Sequence, residues 1–262
     1  MKWLAAMLLL AVTAGGAVAQ VRIVGGPAGG CIAGAVELPD DGPGFQTIRA
    51  SHSFYWGHPA TISALELLAQ RAQAAGLPDL YMNDISKRRG GPFPGVHASH
   101  MLGLDADVWL DVLPKPRLTV QQRDNLEVAS LVRPDGRGVD LARWSPMHLT
   151  LIRLATTLPG VDRVLVNAAI KKQLCTEATG DHSWLHVVRP WYGHASHMHI
   201  HFRCPPGQPE CIDQAPAPAG DGCDQSLAWW FERLDAPKAP AAPAAPPRPV
   251  VLPAACSAIM AR

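Results

Sequence analysis

The stretch His197-Met198-His199-Ile200-His201-Phe202-Arg203 alternates apolar and polar side chains with a period of two. This is the pattern of a strand with a packed back and a polar front. Met198, Ile200 and Phe202 point to a core, and His197, His199 and His201 line the opposite side. A second stretch, Leu104-Asp105-Ala106-Asp107-Val108-Trp109-Leu110, behaves in the same way: Leu104, Ala106, Val108 and Leu110 share one face, and Asp105, Asp107 and Trp109 the other. Together they predict a sheet with its chemistry on one side.

Helical signals lie around these strands. Residues 61–75 space apolar side chains at helical intervals, with Thr61 or Ser63 as cap and Gly76 as the stop. Ser145-Pro146 reads as an N-cap followed by proline at the first helical position, opening a helix through Leu154 that ends before Pro159-Gly160. Residues 161–167, VDRVLVN, read as a buried strand leading into a helix over AAIKKQLC.

The ends carry different information. Lys2, an apolar run from Trp3 to Val12 and the small residues Ala17-Val18-Ala19 make residues 1–19 a secretory signal peptide. Its run of roughly 10 apolar residues falls short of the ~20 that a membrane-spanning helix needs, so no membrane span is expected and the mature chain starts near Gln20. Residues 20–235 are then one domain with one sizeable core. Residues 236–262 begin with a Pro/Ala-rich linker of polyproline II character and end in a tail carrying Cys256. The net charge of +1 implies no affinity for nucleic acid, and 25 prolines with 23 glycines predict a loop-rich chain. An apolar content of 48% excludes disorder.

Six cysteines, Cys31, Cys175, Cys204, Cys211, Cys223 and Cys256, form an even set in an exported chain, where disulfides persist. Six allow 15 pairings. Spacing favours only the local one, Cys204 with Cys211; the other four tie distant segments together.

Six of the 11 histidines fall in two short stretches, His97 with His100 and His194 with His197, His199 and His201. Neutral imidazoles are the commonest zinc ligands, and a carboxylate completes many catalytic zinc sites. His100 and Asp107 are seven residues apart, and a turn at Gly103 lets the loop histidine fold back toward the strand aspartate. A lone His-x-His strand is more often just a polar face; two histidine clusters plus a correctly faced aspartate point to Zn2+. Met101 and Met198 also admit a copper-handling protein, but Asp107 suits a hard ligand set better than a thioether one.

The segments Gly95-Val96-His97-Ala98-Ser99-His100-Met101-Leu102-Gly103-Leu104-Asp105-Ala106-Asp107 and Arg189-Pro190-Trp191-Tyr192-Gly193-His194-Ala195-Ser196-His197-Met198-His199 closely resemble the penicillin-insensitive murein endopeptidases, within the wider group of lysostaphin-type enzymes, D-Ala-D-Ala metallopeptidases and the hedgehog signalling domain. The likeness extends over VNAAIKKQLC, GDGCDQSLAWWFE, the proline-rich linker and the last cysteine.

The resemblance implies an α+β fold: a small antiparallel sheet carrying a zinc site, flanked by helices and long disulfide-stapled loops. It implies zinc held by His100, Asp107 and His199, and hydrolysis of D-alanyl-meso-diaminopimelyl cross-links of peptidoglycan in the periplasm, insensitive to β-lactams. The implied disulfides are Cys31 with Cys256, Cys175 with Cys223 and Cys204 with Cys211; a dimer is an admissible assembly. His201 departs from the pattern by creating a second His-x-His pair, which makes it the alternative ligand.

On this reading His197 moves the protons of the reaction, with His194 and His97 the next candidates. Asp105 orients a ligand imidazole or is a solvated acid. Lys87, Arg88 and Arg89 read as a solvated charge run that could meet acidic stem peptides. A non-catalytic wall-binding relative, and a carboxypeptidase or amidase, are the other readings.

Overall fold

A computed structural model describes residues 20–93, 97–235 and 249–261. The signal peptide expected over residues 1–19 lies outside the described residues, as do residues 94–96 of the first histidine motif and 236–248 of the linker. No described helix is long and apolar enough to cross a membrane.

The two alternating stretches are neighbouring strands. His197–Phe202 pairs antiparallel with Asp105–Trp109 on one side and with Val161–Val166 on the other. Its register sets His199 opposite Asp107, His201 opposite Asp105 and His197 opposite Trp109. Directly opposed residues in an antiparallel pair bring their Cβ atoms to about 4.5–5.5 Å, so imidazole and carboxylate meet by register alone. A one-residue slip would put Ile200 opposite Asp107 and turn every side chain to the wrong face.

The sheet that contains them has seven strands in the order Val188–Pro190, Val161–Val166, His197–Phe202, Asp105–Trp109, Leu80–Met82, Phe45–Thr47, Asp41–Gly42. The α+β class is as expected, but the sheet is larger than expected and mixed rather than antiparallel throughout. Val188–Pro190 runs parallel to Val161–Val166, and Phe45–Thr47 runs parallel to Leu80–Met82. The reason is in the connections. Helix Ala168–Glu177 lies between the first pair and helix Pro59–Ala74 between the second, and a crossover through a helix returns the chain in the same direction.

Met198 and Ile200 are fully buried with Ala106, Val108, Val164 and Val166 on the back of the sheet, where helices Pro59–Ala74 and Pro146–Thr156 contribute Leu65, Leu68, Leu151 and Ile152. The front is not open to solvent as the alternation suggested: Asp105, Asp107, His199 and His201 are buried as well. Helix Pro59–Ala74 starts earlier than expected. His58 Nδ1 accepts the Ala60 N–H at 3.1 Å and caps it, ahead of Pro59 at the first helical position, so Thr61 and Ser63 lie inside the helix. At its other end Gly76 has φ +80° and Leu77 N–H reaches back to the Ala72 carbonyl. Helix Pro146–Thr156 starts behind Ser145 as read.

Disulfides fasten the periphery. Cys31–Cys256 holds the terminal helix Ala255–Met260 against the hairpin of Arg22–Gly26 and Gly29–Ala33, Cys175–Cys223 ties helix Ala168–Glu177 to the segment before helix Gln225–Asp235, and Cys204–Cys211 closes a short loop.

Ile200 sits between His199 and His201 with no exposed surface. Ile200→Ala is expected to cost about 2–5 kcal/mol, read as a lower urea midpoint with an unchanged denaturant slope; a cost under about 0.5 kcal/mol would contradict the packing described here.

Candidate metal centre

His100 reaches the sheet from a loop. Gly103, at φ +69°, turns the chain there, and a Cβ on it would come within 3.0 Å of Gly57 Cα and His58 N. His100 itself has φ +68°, in the left-handed region that a histidine rarely adopts. Its backbone is held there from both sides: the His100 N–H donates to Asp105 Oδ2 at 3.2 Å and the Ser86 hydroxyl donates to the His100 carbonyl at 2.6 Å. Strain of this kind persists where surrounding contacts over-determine it, and clusters at functional sites.

Three buried atoms then converge. His100 Nε2 lies 3.0 Å from His199 Nδ1 and 3.5 Å from Asp107 Oδ1, and His199 Nδ1 lies 3.2 Å from Asp107 Oδ1. The far side of each ring decides what these atoms are. His100 Nδ1 faces the Ile85 carbonyl at 2.9 Å, which only accepts, so Nδ1 carries the proton. His199 Nε2 faces Asp105 Oδ1 at 2.9 Å and donates to it. What points inward is therefore a lone pair from each imidazole and a carboxylate oxygen. With both imidazoles neutral these are three acceptors facing one another, a contact that either a proton or a metal cation between them relieves. Tetrahedral sites with metal–nitrogen distances of 2.0–2.1 Å have ligand-to-ligand edges of about 3.3–3.4 Å, so the donor set fits a small divalent ion.

The electrostatics of the site point the same way. Burial lowers the His199 pKa, but hydrogen bonds to Asp105 and Asp107 and their charges outweigh it and push it up to about 10. His100 is likewise raised against its burial, by the charge of Asp107 and the hydrogen bond to it. Burial acts upward on Asp107, yet the charge of His100 and hydrogen bonds to His100 and His199 hold its carboxyl well below the usual range. Any metal entering must displace the protons these groups attract.

Asp105 is fully buried, not solvated. Its Oδ1 accepts from His199 Nε2 and, at 2.8 Å, from His201 Nδ1. Burial would raise its carboxyl, but the charge of His201 and the bonds from both imidazoles lower it strongly. It fixes the His199 imidazole through Nε2, the position that carboxylates take behind metal-bound histidines. His201 completes a second group of potential ligands with Asp105 and His199, but it lies behind Asp105 and is not among the residues lining the cleft.

That cleft, about 430 Å³, opens onto the converging atoms and is lined by all the remaining histidines of the two motifs. His197 Nε2 lies 3.8 Å from Asp107 Oδ2, and the ring is partly exposed. Burial lowers its pKa, with Asp107 opposing. His194, at φ +49°, donates Nδ1–H to the Tyr192 carbonyl at 2.6 Å, leaving Nε2 as an acceptor; burial and the nearby His197 lower its pKa to about 4. The His97 ring lies tilted against that of His100, centroids 4.1 Å apart and planes at 37°, and donates Nε2–H to Asp84 Oδ2 at 2.6 Å. His97, His100 and Asp107 also bring one ligand atom each within 4.8 Å of one another.

Asp84 was not legible in the sequence. It follows strand Leu80–Met82, its backbone carbonyl takes the Asp107 N–H at 2.9 Å, and its side chain meets a histidine 13 residues away with no periodic signal. Asn83 and Arg49 of the cleft wall were missed for the same reason, whereas Trp109 lies on the face that the alternation assigned to it. Lys87, Arg88 and Arg89 do not line this cleft; the Lys87 ammonium is turned to the Pro92 carbonyl.

The model of the penicillin-insensitive murein endopeptidases matches residues 23–261, nearly the whole described chain. The chain belongs to that family. Murein endopeptidases of this name in Haemophilus influenzae, Klebsiella pneumoniae and Yersinia enterocolitica are 44%, 40% and 41% identical to it over 219, 241 and 239 residues. These alignments cover 80%, 92% and 91% of this chain and 73%, 86% and 85% of the relatives. Membership of the murein endopeptidase family makes the chain a peptidase.

If the three converging atoms hold the ion, His100→Ala, Asp107→Ala and His199→Ala each lose bound metal by elemental analysis, while His201→Ala keeps it with an affinity lowered by about 10–100-fold through Asp105. Loss in His201→Ala as complete as in His100→Ala would move the centre to the Asp105 side.

Proposed function

We propose that this chain is a zinc metallo-endopeptidase, exported to the periplasm, that hydrolyses the D-alanyl-meso-diaminopimelyl cross-links of peptidoglycan and is insensitive to β-lactams. The observation that carries this reading is the set of three inward-facing acceptors, His100 Nε2, Asp107 Oδ1 and His199 Nδ1, at mutual distances of 3.0–3.5 Å beside an open cleft. The relatives' name supplies the substrate polymer, murein. The cell wall lies outside the cytoplasm, which agrees with the signal-like start of the chain and its three disulfides.

Zinc held by these residues would supply Lewis acidity toward a carbonyl oxygen and toward water. The protein's own groups have the proton work. His197, two residues from His199 on the same strand face, takes a proton from the attacking water and returns it to the departing amine nitrogen, so that the C–N bond breaks as a C–O bond forms. His194 remains neutral at pH 7 and presents Nε2 to the cleft as a second acceptor. Asp84 fixes the tautomer of His97, leaving Nδ1 of that ring as its free acceptor, an arrangement of base and orienting group. On this reading the nucleophile is water and no side chain is acylated, so there is no acyl-enzyme for a β-lactam to mimic.

Mass spectrometry of the products from intact, disulfide-bonded protein and purified sacculi tests this. Cross-linked muropeptides are expected to disappear in favour of monomers with a free D-alanine carboxylate, unaffected by penicillin, stopped by a chelator and restored by zinc. Products cut at the sugar–peptide amide, or turnover that survives chelation, would refute it.

His197→Ala is expected to lower kcat by at least about 10²-fold while zinc content is unchanged; equal zinc loss in His197→Ala and His100→Ala would refute this division of roles. Asp84→Asn is expected to lower kcat about 10–100-fold with little change in KM, and a fully active Asp84→Asn would remove His97 from the mechanism.

A further inference from the structure

Beside the metal cleft lies a second cavity of about 530 Å³ that shares Ser99, Leu165, Trp191 and His199 with the first region and adds Trp230, Gln214 and Ser226. Its rim is an aromatic shelf. The rings of Trp191, Tyr192 and Trp230 form a cluster with centroids 4.8–6.5 Å apart, and Trp229 adjoins Trp230 at 5.3 Å. Trp191, Tyr192 and Trp229 are 51%, 58% and 43% exposed, an unusual outlay of large apolar surface in one place.

The shelf is built on fixed supports. The Trp191 N–H donates to the Val166 carbonyl at 2.8 Å, and Asn167 binds the Gly193 and His194 carbonyls through its side-chain and backbone N–H groups. Trp229 and Trp230 stand on helix Gln225–Asp235, which follows directly on Cys223 and its disulfide to Cys175. The rings are thus presented by elements that cannot easily turn them inward, which favours binding without an ordering cost.

Chemistry selects the occupant. A pyranose whose substituents are equatorial turns axial C–H bonds, slightly positive, toward both faces, and these complement the negative face of an aromatic ring. Its rim of hydroxyl and acetamido groups seeks hydrogen bonds, for which Gln214 and Ser226 are in place. Of the two arginines of the cavity, Arg163 is engaged by Asp162 and the Ala215 carbonyl, and Arg189 through Nη2 by the Pro218 and Gly220 carbonyls, with its Nε unpartnered among the described residues. The stem peptide offers the shelf little, since alanine and diaminopimelate carry no large apolar group, whereas the polymer that bears it is a chain of sugars.

We infer that the Trp191–Tyr192–Trp230 shelf is a glycan subsite, which stacks on pyranose rings of the murein backbone while the attached peptide enters the metal cleft. This rests on the murein-hydrolysing reading, and it predicts that the protein grips the polymer through its sugars as well as cutting its peptides.

Calorimetric titration of the full chain with peptide-free murein glycan strands tests the subsite without turnover. Saturable binding is expected, weakened about tenfold in Trp191→Ala and in Trp230→Ala but within a few-fold of the parent in Trp230→Phe, which keeps a ring; near-identical circular dichroism and melting temperatures verify folding. Absence of saturable binding, or binding by both alanine variants as tight as that of the parent protein, would overturn the inference. In a second arm, the KM for a cross-linked dimer bearing its disaccharides is expected to be about tenfold below that for the same dimer without sugars, a preference that collapses in Trp230→Ala. An equal KM for the two dimers in the parent protein would also overturn it. A protein that cleaves neither dimer would sink the peptidase reading, and the titration would still decide the subsite.

Discussion

Two imidazole nitrogens and a carboxylate oxygen are held within 3.5 Å of one another, a crowding that only a proton or a cation between them relieves, and the rest of the structure is organised to keep them there. Each has its outward side committed. The Ile85 carbonyl takes the His100 proton, Asp105 takes the proton of His199, and the strand register sets His199 across from Asp107. All three residues are buried, so bulk solvent relieves little of the crowding, and the site is suited to a positive charge.

The fold distributes the cost of that arrangement. Buried carboxylates are tolerable only when hydrogen bonds replace their hydration. Asp105 accepts from two imidazoles and a backbone N–H, so one acid orients a ligand ring, anchors the His100 loop and binds His201 behind the site. The left-handed backbone at His100 falls within this network, whereas that at His194 is held apart from it, by the Asn167 N–H on its carbonyl and by its own ring on the Tyr192 carbonyl. Behind it, the packed layer of Met198, Ile200, Ala106, Val108 and Val164 keeps the central strands in register.

The cleft also separates tasks by what each histidine's second nitrogen touches. His100 and His199 have theirs occupied by a carbonyl and a carboxylate and face the centre; His97 and His194 have theirs occupied by Asp84 and the Tyr192 carbonyl and face the cleft. Six histidines of similar appearance in the sequence thereby become different reagents. His201, whose nitrogen is turned to Asp105, takes a supporting place.

Period-two alternation in residues 104–110 and 197–203 was enough to identify the central strands and the sides on which their histidines and aspartates lie, because side-chain direction along a strand follows from local geometry. Helix signals at Ser145-Pro146 and Gly76 were legible for the same reason, whereas the start at Pro59 was not, since a histidine cap is a weak local signal. The parallel edges of the sheet, the burial of its polar face, the pairing of Asp84 with His97 and the shelf joining Trp191 to Trp230 were decided only by tertiary structure. Each depends on which segments cross in space, and nothing in the spacing of residues along a chain encodes a contact between elements that approach from different directions.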